Sequence, residues 1–183
     1  MATLRRSIVV SVLFTVFGGP GIVLAYVPFW ITRFRIPAAE PLWQTLAAGA
    51  TIFIGLTPAL DSIRRFIYVG RGTLIPIVPT ERLVVSGFYR YVRNPMYVGV
   101  LTALCGEALL FWDRRLVIEA LVAGLGFHLF VLLHEEPALA RRYPRDYPRY
   151  KSHVARWWPR LTPWEDRENR TWNLSASVRV KEG

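Results

Sequence analysis

The charged residues of this chain avoid four long apolar stretches. Within these stretches only two side chains are charged, Glu107 and Glu119. The stretches are Ile8–Ile31, Leu42–Leu60, Tyr97–Trp112 and Leu116–Leu133. A helix of about 20 apolar residues crosses the hydrocarbon layer of a bilayer, which is about 30 Å thick. The pattern therefore predicts an all-α, polytopic membrane protein with about four transmembrane helices.

The basic residues indicate how these helices are oriented. With the N-terminus in the cytoplasm, 19 of the 23 Lys and Arg residues lie on the inner side. The remaining four are Arg33, Arg35, Arg114 and Arg115. Because short cytoplasmic segments are enriched in basic residues, we expect an integral multi-pass protein with both termini in the cytoplasm. The net charge of +10 is then explained by topology and by the lipid bilayer as partner, and no nucleic-acid partner is expected.

The chain after the last apolar stretch is predicted to form a helical segment at the cytoplasmic membrane surface. Its apolar and aromatic residues recur at spacings of three and four, which is typical of one helix face, with Arg145, Arg149 and Arg156 opposite. The face comprises Tyr143, Tyr147, Tyr150, Val154 and Trp157. We expect residues 1–164 to form a single domain and residues 165–183 to form a polar tail.

A short connection brings two distant segments together. Residues 112–115 are too few for anything but a tight turn, so the third and fourth stretches should form an antiparallel hairpin. Asn94 followed by Pro95 is a helix start signal, because Asn can cap free N–H groups and Pro suits the first helical position. The hairpin then places residues 93–99 beside residues 134–136 at its inner end.

These two segments carry the residue types that could bind a ligand. A helix N-terminus beside Arg93 suits an anionic group such as a carboxylate, and Gly99 would let a ligand approach the backbone. The alternative is a capped helix with Arg93 and Tyr97 at the headgroup level. Glu135 and Glu136 point about 100° apart on a helix, so we expect one of them to face a ligand and the other to pair with arginine. The alternative is a solvated acidic pair that interacts with Arg141 or Arg142.

Three further residues support a different class of function. Glu107 and Glu119 are ionisable groups inside predicted spans, and such groups are functional candidates because their insertion is unfavourable. Together with His128 they would suit a small proton-coupled transporter. A structural membrane subunit without a ligand is the third possibility. No set of residues has the spacing of metal ligands, so no metal is expected.

Two motifs in this order resemble those of a known family. The first is Arg93-Asn94-Pro95-Met96-Tyr97-Val98-Gly99, and the second is Glu135-Glu136-Pro137-Ala138-Leu139, followed by Tyr147, Tyr150 and Pro159-Arg160. They resemble the integral-membrane methyltransferases that include isoprenylcysteine carboxyl methyltransferase and the phospholipid N-methyltransferases. The resemblance covers roughly residues 64–164. The isoprenylcysteine branch has His where this chain has Asn94, so the sequence looks more like the phospholipid branch.

The resemblance implies S-adenosyl-L-methionine as cofactor and a lipid-like or membrane-delivered methyl acceptor, of the isoprenylcysteine carboxylate or phospholipid amine type, at the cytoplasmic face. Catalytic roles are expected for Arg93, Tyr97 and Glu136. Contacts to the cofactor are expected for Asn94, Pro95, Tyr97, Gly99, His134, Glu135 and Glu136.

Overall fold

The regular structure of the described chain is entirely helical, as the sequence predicts. The computed structural model describes residues 21–35, 41–68 and 83–165, with side chains of the second range described as far as residue 65. The helices are α1 (Ile22–Thr32), α2 (Leu42–Tyr68), α3 (Pro95–Phe111), α4 (Arg114–Arg142) and α5 (Asp146–His153), and a 3₁₀ turn spans Gly87–Arg90. The first part of the predicted stretch Ile8–Ile31 and the predicted tail after residue 165 lie outside the described residues.

Two of the helices have the length and composition of membrane spans. In the described ranges these are residues Leu42–Arg65 of α2, with 24 residues, and Arg114–Arg142 of α4, with 29 residues. Helices α1 and α3 are apolar but shorter. The structure therefore supports a membrane protein, and the total of four spans stays a prediction.

Hydrogen bonds between helix ends show that each of the four apolar helices runs antiparallel to the next one along the chain. At one end of the bundle, Gln44 at the start of α2 donates to the carbonyl of Leu109 near the end of α3, at 2.9 Å. At the same end, Arg115 of α4 donates to the carbonyl of Ile31 of α1, at 3.1 Å. The end of α2, the start of α3 and the end of α4 therefore lie together at the opposite end.

Helices α2 and α3 are in close contact because glycines line their interface. A Cβ atom on Gly55 would collide with the backbone of Ala103 and Gly99, and one on Gly99 would collide with the backbone of Gly55. Gly106 approaches Ala48 and Ile52 of α2 in the same way. Small residues let two helix backbones approach closely in a membrane, where this packing drives association.

A tight turn joins α3 to α4, as the sequence predicts. Trp112 ends α3 with a left-handed backbone (φ 49°). Asp113 then caps α4, because its side chain accepts a hydrogen bond from the amide N–H of Arg115 at 2.8 Å. The resulting hairpin brings the start of α3 and the end of α4 together.

Helix α4 continues past Leu133, where the last apolar stretch ends, and past Pro137. Residues Val131–Glu135 form a π turn, and the helix continues through Glu136–Arg142. In this turn the N–H of Glu136 bonds to the carbonyl of Val131, five residues earlier. The π turn changes the bonding register just where Pro137 has no N–H to donate, so the helix continues past the proline.

The environment of the predicted apolar face of the C-terminal segment, called here the tyrosine stripe, also differs from the prediction. Tyr143, Tyr147, Tyr150 and Val154 form a buried cluster inside the protein. Around it pack the partly buried residues Leu83, Val85, Leu139 and Trp164. The stripe was predicted to face the membrane surface, but the spacing of apolar residues indicates only which face is buried and not what covers it.

The glycine contact between α2 and α3 predicts the effect of one added methyl group. We expect Gly55→Ala to destabilise the protein by about 1–3 kcal/mol, because the new Cβ meets backbone that has to shift. Gly49→Ala is the matched control on the same helix, since nothing lies within 4 Å of its Cβ position. The control should be neutral or stabilising by up to about 1 kcal/mol. Unfolding in detergent measures both, and equal stabilities would contradict the packing role.

Candidate active site

The two predicted segments meet at the end of the bundle where α3 begins and α4 ends. The hydroxyl of Tyr97 donates to Oε1 of Glu135 at 2.7 Å. The Tyr97 ring also stacks on Phe127 of α4, with ring centroids 4.7 Å apart. Tyr97 and Glu135 are therefore in direct contact, and a ligand at this point would replace or extend their hydrogen bond.

Glu136 is buried at the centre of an ion cluster. Its carboxylate accepts hydrogen bonds from Arg93 at 2.8 Å, from Lys151 at 2.9 Å, and from Arg156 at 2.6 and 3.0 Å. The side chains of Glu136 and Arg93 are only 7% and 9% exposed. The hydroxyl of Tyr147 completes the cluster by accepting a hydrogen bond from Arg93 at 3.1 Å.

These bonds give the two adjacent glutamates different environments. A carboxylate offers about four acceptor positions, and the cluster occupies four on Glu136. This arrangement favours a positioning role for Glu136 over its predicted catalytic role, which stays a prediction. Glu135 is hydrogen-bonded to a neutral tyrosine, so it is the member of the pair that can interact with a ligand.

The segment after α4 folds back onto the start of α3. The amide of Arg93 donates to the carbonyl of Ala155 at 2.9 Å, and the amide of Arg160 donates to that of Tyr91 at 2.9 Å. The buried hydroxyl of Tyr150 donates to the carbonyl of Tyr89 at 2.6 Å. Burial raises the pKa of Tyr150, so its hydroxyl stays protonated as a donor. The C-terminal segment is thus part of the site.

The side chain of Asn94 does not form the predicted helix cap, and its predicted contact with the cofactor stays a prediction. It makes no capping bond at the start of α3 in the described structure, and its Nδ2 donates to the carbonyl of Arg156 at 3.2 Å. Pro95, the first residue of α3, has no N–H to be capped. Asn94 therefore holds the C-terminal segment, and the next N–H groups of the first turn lack a side-chain cap.

One buried donor at this site has no partner. Within the described residues, Nε of Arg93 is buried and makes no hydrogen bond. A buried N–H of a charged group without a partner is unfavourable by about 1–3 kcal/mol, so such atoms are rare. The Arg93 guanidinium and the helix N-terminus beside it form a positive site that could hold an anionic group.

The remaining predicted cofactor residues have different surroundings. Pro95 is buried at the start of α3. Gly99 contacts α2, so the structure gives it a packing role, and its contact with a ligand stays a prediction. His134 is exposed, and its ring stacks on Phe130 with centroids 5.5 Å apart.

The transporter alternative rests on Glu107, Glu119 and His128. These three residues do not form a common site with Tyr97 and Glu135. Glu107 and Glu119 lie toward the other end of the hairpin, and Oε2 of Glu107 and both carboxylate oxygens of Glu119 are buried without partners in the described part of the chain. Nδ1 of His128 accepts a hydrogen bond from Nε1 of Trp157 at 3.1 Å. His128 thus helps to hold the C-terminal segment.

Sequence reasoning missed Lys151 and the role of Arg156. Arg156 was placed on the polar face of a surface helix, but its hydrogen bond with Glu136 raises the pKa of its guanidinium and ties it to α4. The available signal was the expected pairing of one of the two glutamates with arginine, because a carboxylate that becomes buried requires cationic partners. Spacing along the chain did not indicate which of the many basic residues would supply them.

Comparison with known proteins gives one match. A family model described as phospholipid methyltransferase matches residues 43–146, which is more than half of the chain. No curated protein and no solved structure matches this chain. The matched range includes Arg93, Tyr97, Glu135 and Glu136, and it ends before Lys151 and Arg156.

The ion cluster predicts that Glu136 is required for stability. We expect Glu136→Gln to destabilise the protein by about 2 kcal/mol, because Arg93 stays buried without a compensating charge. Glu165→Gln is the matched control, since Glu165 pairs with Arg90 at the surface and is 45% exposed. An exposed pair contributes at most about 1 kcal/mol. Unfolding in detergent and proteolysis after α4 measure both variants, and an equal effect of the two would contradict a central role for Glu136.

Proposed function

The chain belongs to the phospholipid methyltransferase family, and we propose that it transfers a methyl group from S-adenosyl-L-methionine to a lipid-like acceptor at the cytoplasmic face of a membrane. The contact of Tyr97 with Glu135, together with that of Arg93 with Glu136, carries the proposal. These contacts join the two family motifs at one end of the helical bundle. A water-soluble donor and a lipid acceptor can meet only at such an interface.

The residues present fit the cofactor. The unpaired Nε of Arg93 and the N-terminus of α3 suit its carboxylate. Glu135 suits its ribose hydroxyls or its ammonium group, and the rings of Tyr97 and Phe127 provide an aromatic surface for its cationic sulfonium. Asn94, Pro95, Gly99 and His134 remain candidate contacts around this position.

The chain's own residues position the reactants and move a proton. When bound, the cofactor supplies an electrophilic methyl group whose bond to sulfur breaks as the acceptor's lone pair forms the new bond. An ammonium acceptor has to lose one proton first. Tyr97 can take that proton while passing its own along the 2.7 Å hydrogen bond to Glu135. A carboxylate acceptor needs no base, and holding it in line with the methyl group then supplies most of the rate.

Orientation follows from the distribution of charge. Of the two bundle ends, the one with the candidate site carries Arg64, Arg65, Arg93 and the C-terminal basic residues. Because basic segments stay in the cytoplasm, we propose that the site and both termini face the cytoplasm in a four-span protein.

The proposal is tested by titrating the detergent-purified protein with S-adenosylhomocysteine in a calorimeter. We expect wild type to bind, and Glu135→Gln and Tyr97→Phe each to bind about 10-fold more weakly, since each removes one polar contact at the site. Glu107→Gln is the control at the other end of α3 and should bind like wild type. A labelled-methyl assay with native lipid extract then tests transfer.

Two results would contradict the proposal. Wild type that binds no S-adenosylhomocysteine would exclude the cofactor. Unchanged binding and turnover in both Glu135→Gln and Tyr97→Phe would remove this pair from the mechanism.

A further inference from the structure

The chain after α5 forms an irregular loop beside the start of α3. Two backbone hydrogen bonds join it to the segment before α3. The amide of Arg93 donates to the carbonyl of Ala155, and the amide of Arg160 donates to the carbonyl of Tyr91, both at 2.9 Å. More residues lie between Ala155 and Arg160 than between Tyr91 and Arg93, so the intervening chain has to bulge out of this pairing. Residues 156–161 are called here the tryptophan loop.

One side of the tryptophan loop reaches the membrane-spanning part of α4. Nε1 of Trp157 donates to Nδ1 of His128 at 3.1 Å, and the two ring centroids lie 6.0 Å apart. Because about 20 helical residues cross the hydrocarbon layer, a span that starts after Arg115 ends near Glu135. With a rise of about 1.5 Å per residue, His128 lies about 10 Å inside that boundary. The side chain of Trp157 therefore lies within the depth of the hydrocarbon layer.

The other side of the tryptophan loop lies beside the spanning part of α2. Pro159 lines a cavity together with Phe53, Ile54 and Thr57 of α2. Phe53 and Ile54 are 73% and 62% exposed, and both lie in a candidate membrane span, so in a bilayer they face lipid. The loop thus extends from α4 to α2 past the start of α3, between two helices that expose apolar side chains.

Two large apolar side chains of the tryptophan loop lack a cover within the described part of the chain. Trp158 is 79% exposed and Leu161 is 99% exposed. A single exposed apolar residue is common on a water-soluble protein and indicates nothing. Here, however, the neighbouring Trp157 and Pro159 lie beside membrane-spanning helices. Exposure of Trp and Leu is favourable at that depth, because their apolar surface leaves water and Trp prefers the membrane boundary.

The charged side chains of the tryptophan loop are bonded on the side away from the membrane. Nε of Arg156 donates to Glu136 near the end of α4 at 2.6 Å. Nη1 of Arg160 donates to the carbonyl of His153 at the end of α5, at 2.7 Å. Both guanidinium groups are thus held towards the C-terminal segment, where lipid headgroups are expected and where positive charge is favourable. The loop therefore has the separation of apolar and basic groups that is typical of interfacial segments.

We propose that the tryptophan loop inserts into the lipid leaflet at the end of the bundle that carries the candidate site, with Trp158 and Leu161 among the acyl chains. The partner is the bilayer itself, because the loop is continuous with the lipid-facing surfaces of α2 and α4. The C-terminal segment meets the membrane through these two side chains and not through its buried tyrosine stripe. Its position is then fixed twice, by the ion pairs of Glu136 and by the membrane. The inference does not depend on the proposed function.

Insertion is tested by fluorescence quenching of the full chain in lipid nanodiscs that hold one copy each. Cys105 is the single cysteine, so a Cys105→Ala background allows one nitrobenzoxadiazole label at Leu161→Cys. We expect lipids with a nitroxide on the fifth acyl carbon to quench this label about 3-fold more than one at Ser152→Cys, since inserted groups lie about 5–10 Å below the headgroups. Ser152 is the matched control, exposed on α5 of the same segment. Leu125→Cys, exposed on α4, gives the value for full lipid contact.

Two results of the quenching experiment would overturn the inference. Equal quenching of the labels at Leu161 and Ser152 would leave the tryptophan loop in water. A blue-shifted label at Leu161 that the nitroxide lipids do not quench would mean that protein covers the loop. Because each nanodisc holds one copy, that cover would be another part of the same chain and not a second copy.

Hydrogen exchange in the same nanodiscs tests whether the membrane holds the C-terminal segment. We expect Trp158→Ser combined with Leu161→Ser to speed amide exchange of residues 154–164 about 10-fold, because insertion no longer opposes release of the segment. Leu42→Ser combined with Trp43→Ser is the matched control, since this exposed pair lies at the other end of the bundle. Unchanged exchange of residues 95–111 shows that each variant is folded. Equal exchange of residues 154–164 in wild type and in the variant of the loop would overturn the role of the membrane in holding this segment.

Discussion

The structure at this end of the molecule depends on the ion pairs of the buried Glu136 carboxylate. It joins Arg93 before α3, its own helix α4, and Lys151 and Arg156 of the C-terminal segment. One negative charge among three positive ones leaves the cluster with an excess of positive charge. Because that excess is partly buried, it attracts an anion more strongly than an exposed cluster would. The cluster that holds the C-terminal segment in place therefore also has the charge that the proposed binding of a carboxylate requires.

Glu135 and Glu136 make different contacts because neighbouring helical residues point in different directions. Glu136 lies toward the C-terminal segment and is saturated by cations, whereas Glu135 lies toward α3 and meets Tyr97. Exchanging the two environments would require α4 to rotate about its axis. The stacking of Tyr97 on Phe127 opposes such a rotation, because it fixes the face of α4 that lies against α3.

The sequence was sufficient to predict the helical class, the turn at Trp112 and Asp113, and the meeting of the two motifs, because these follow from hydropathy and loop length. It was not sufficient to predict what Asn94 and Gly99 contact. Asn94 is a residue type that often caps helices, and Gly99 is one that lets a ligand come close to the backbone. In the structure Asn94 contacts the C-terminal segment and Gly99 contacts α2, and residue type alone indicates neither contact. The partners of Glu136 were equally out of reach, because they depend on how the segment after α4 folds back.

The close contact of α2 with α3 fixes where the start of α3 lies. Gly55 and Gly99 bring the two helix backbones together. Larger residues at these glycines would separate the helices and move the end of α2 away from the start of α3. The position of Tyr97 relative to α2 is thus set by helix packing. The proposed in-line methyl transfer requires fixed distances between its reactants, so residues that touch neither reactant would contribute to its rate.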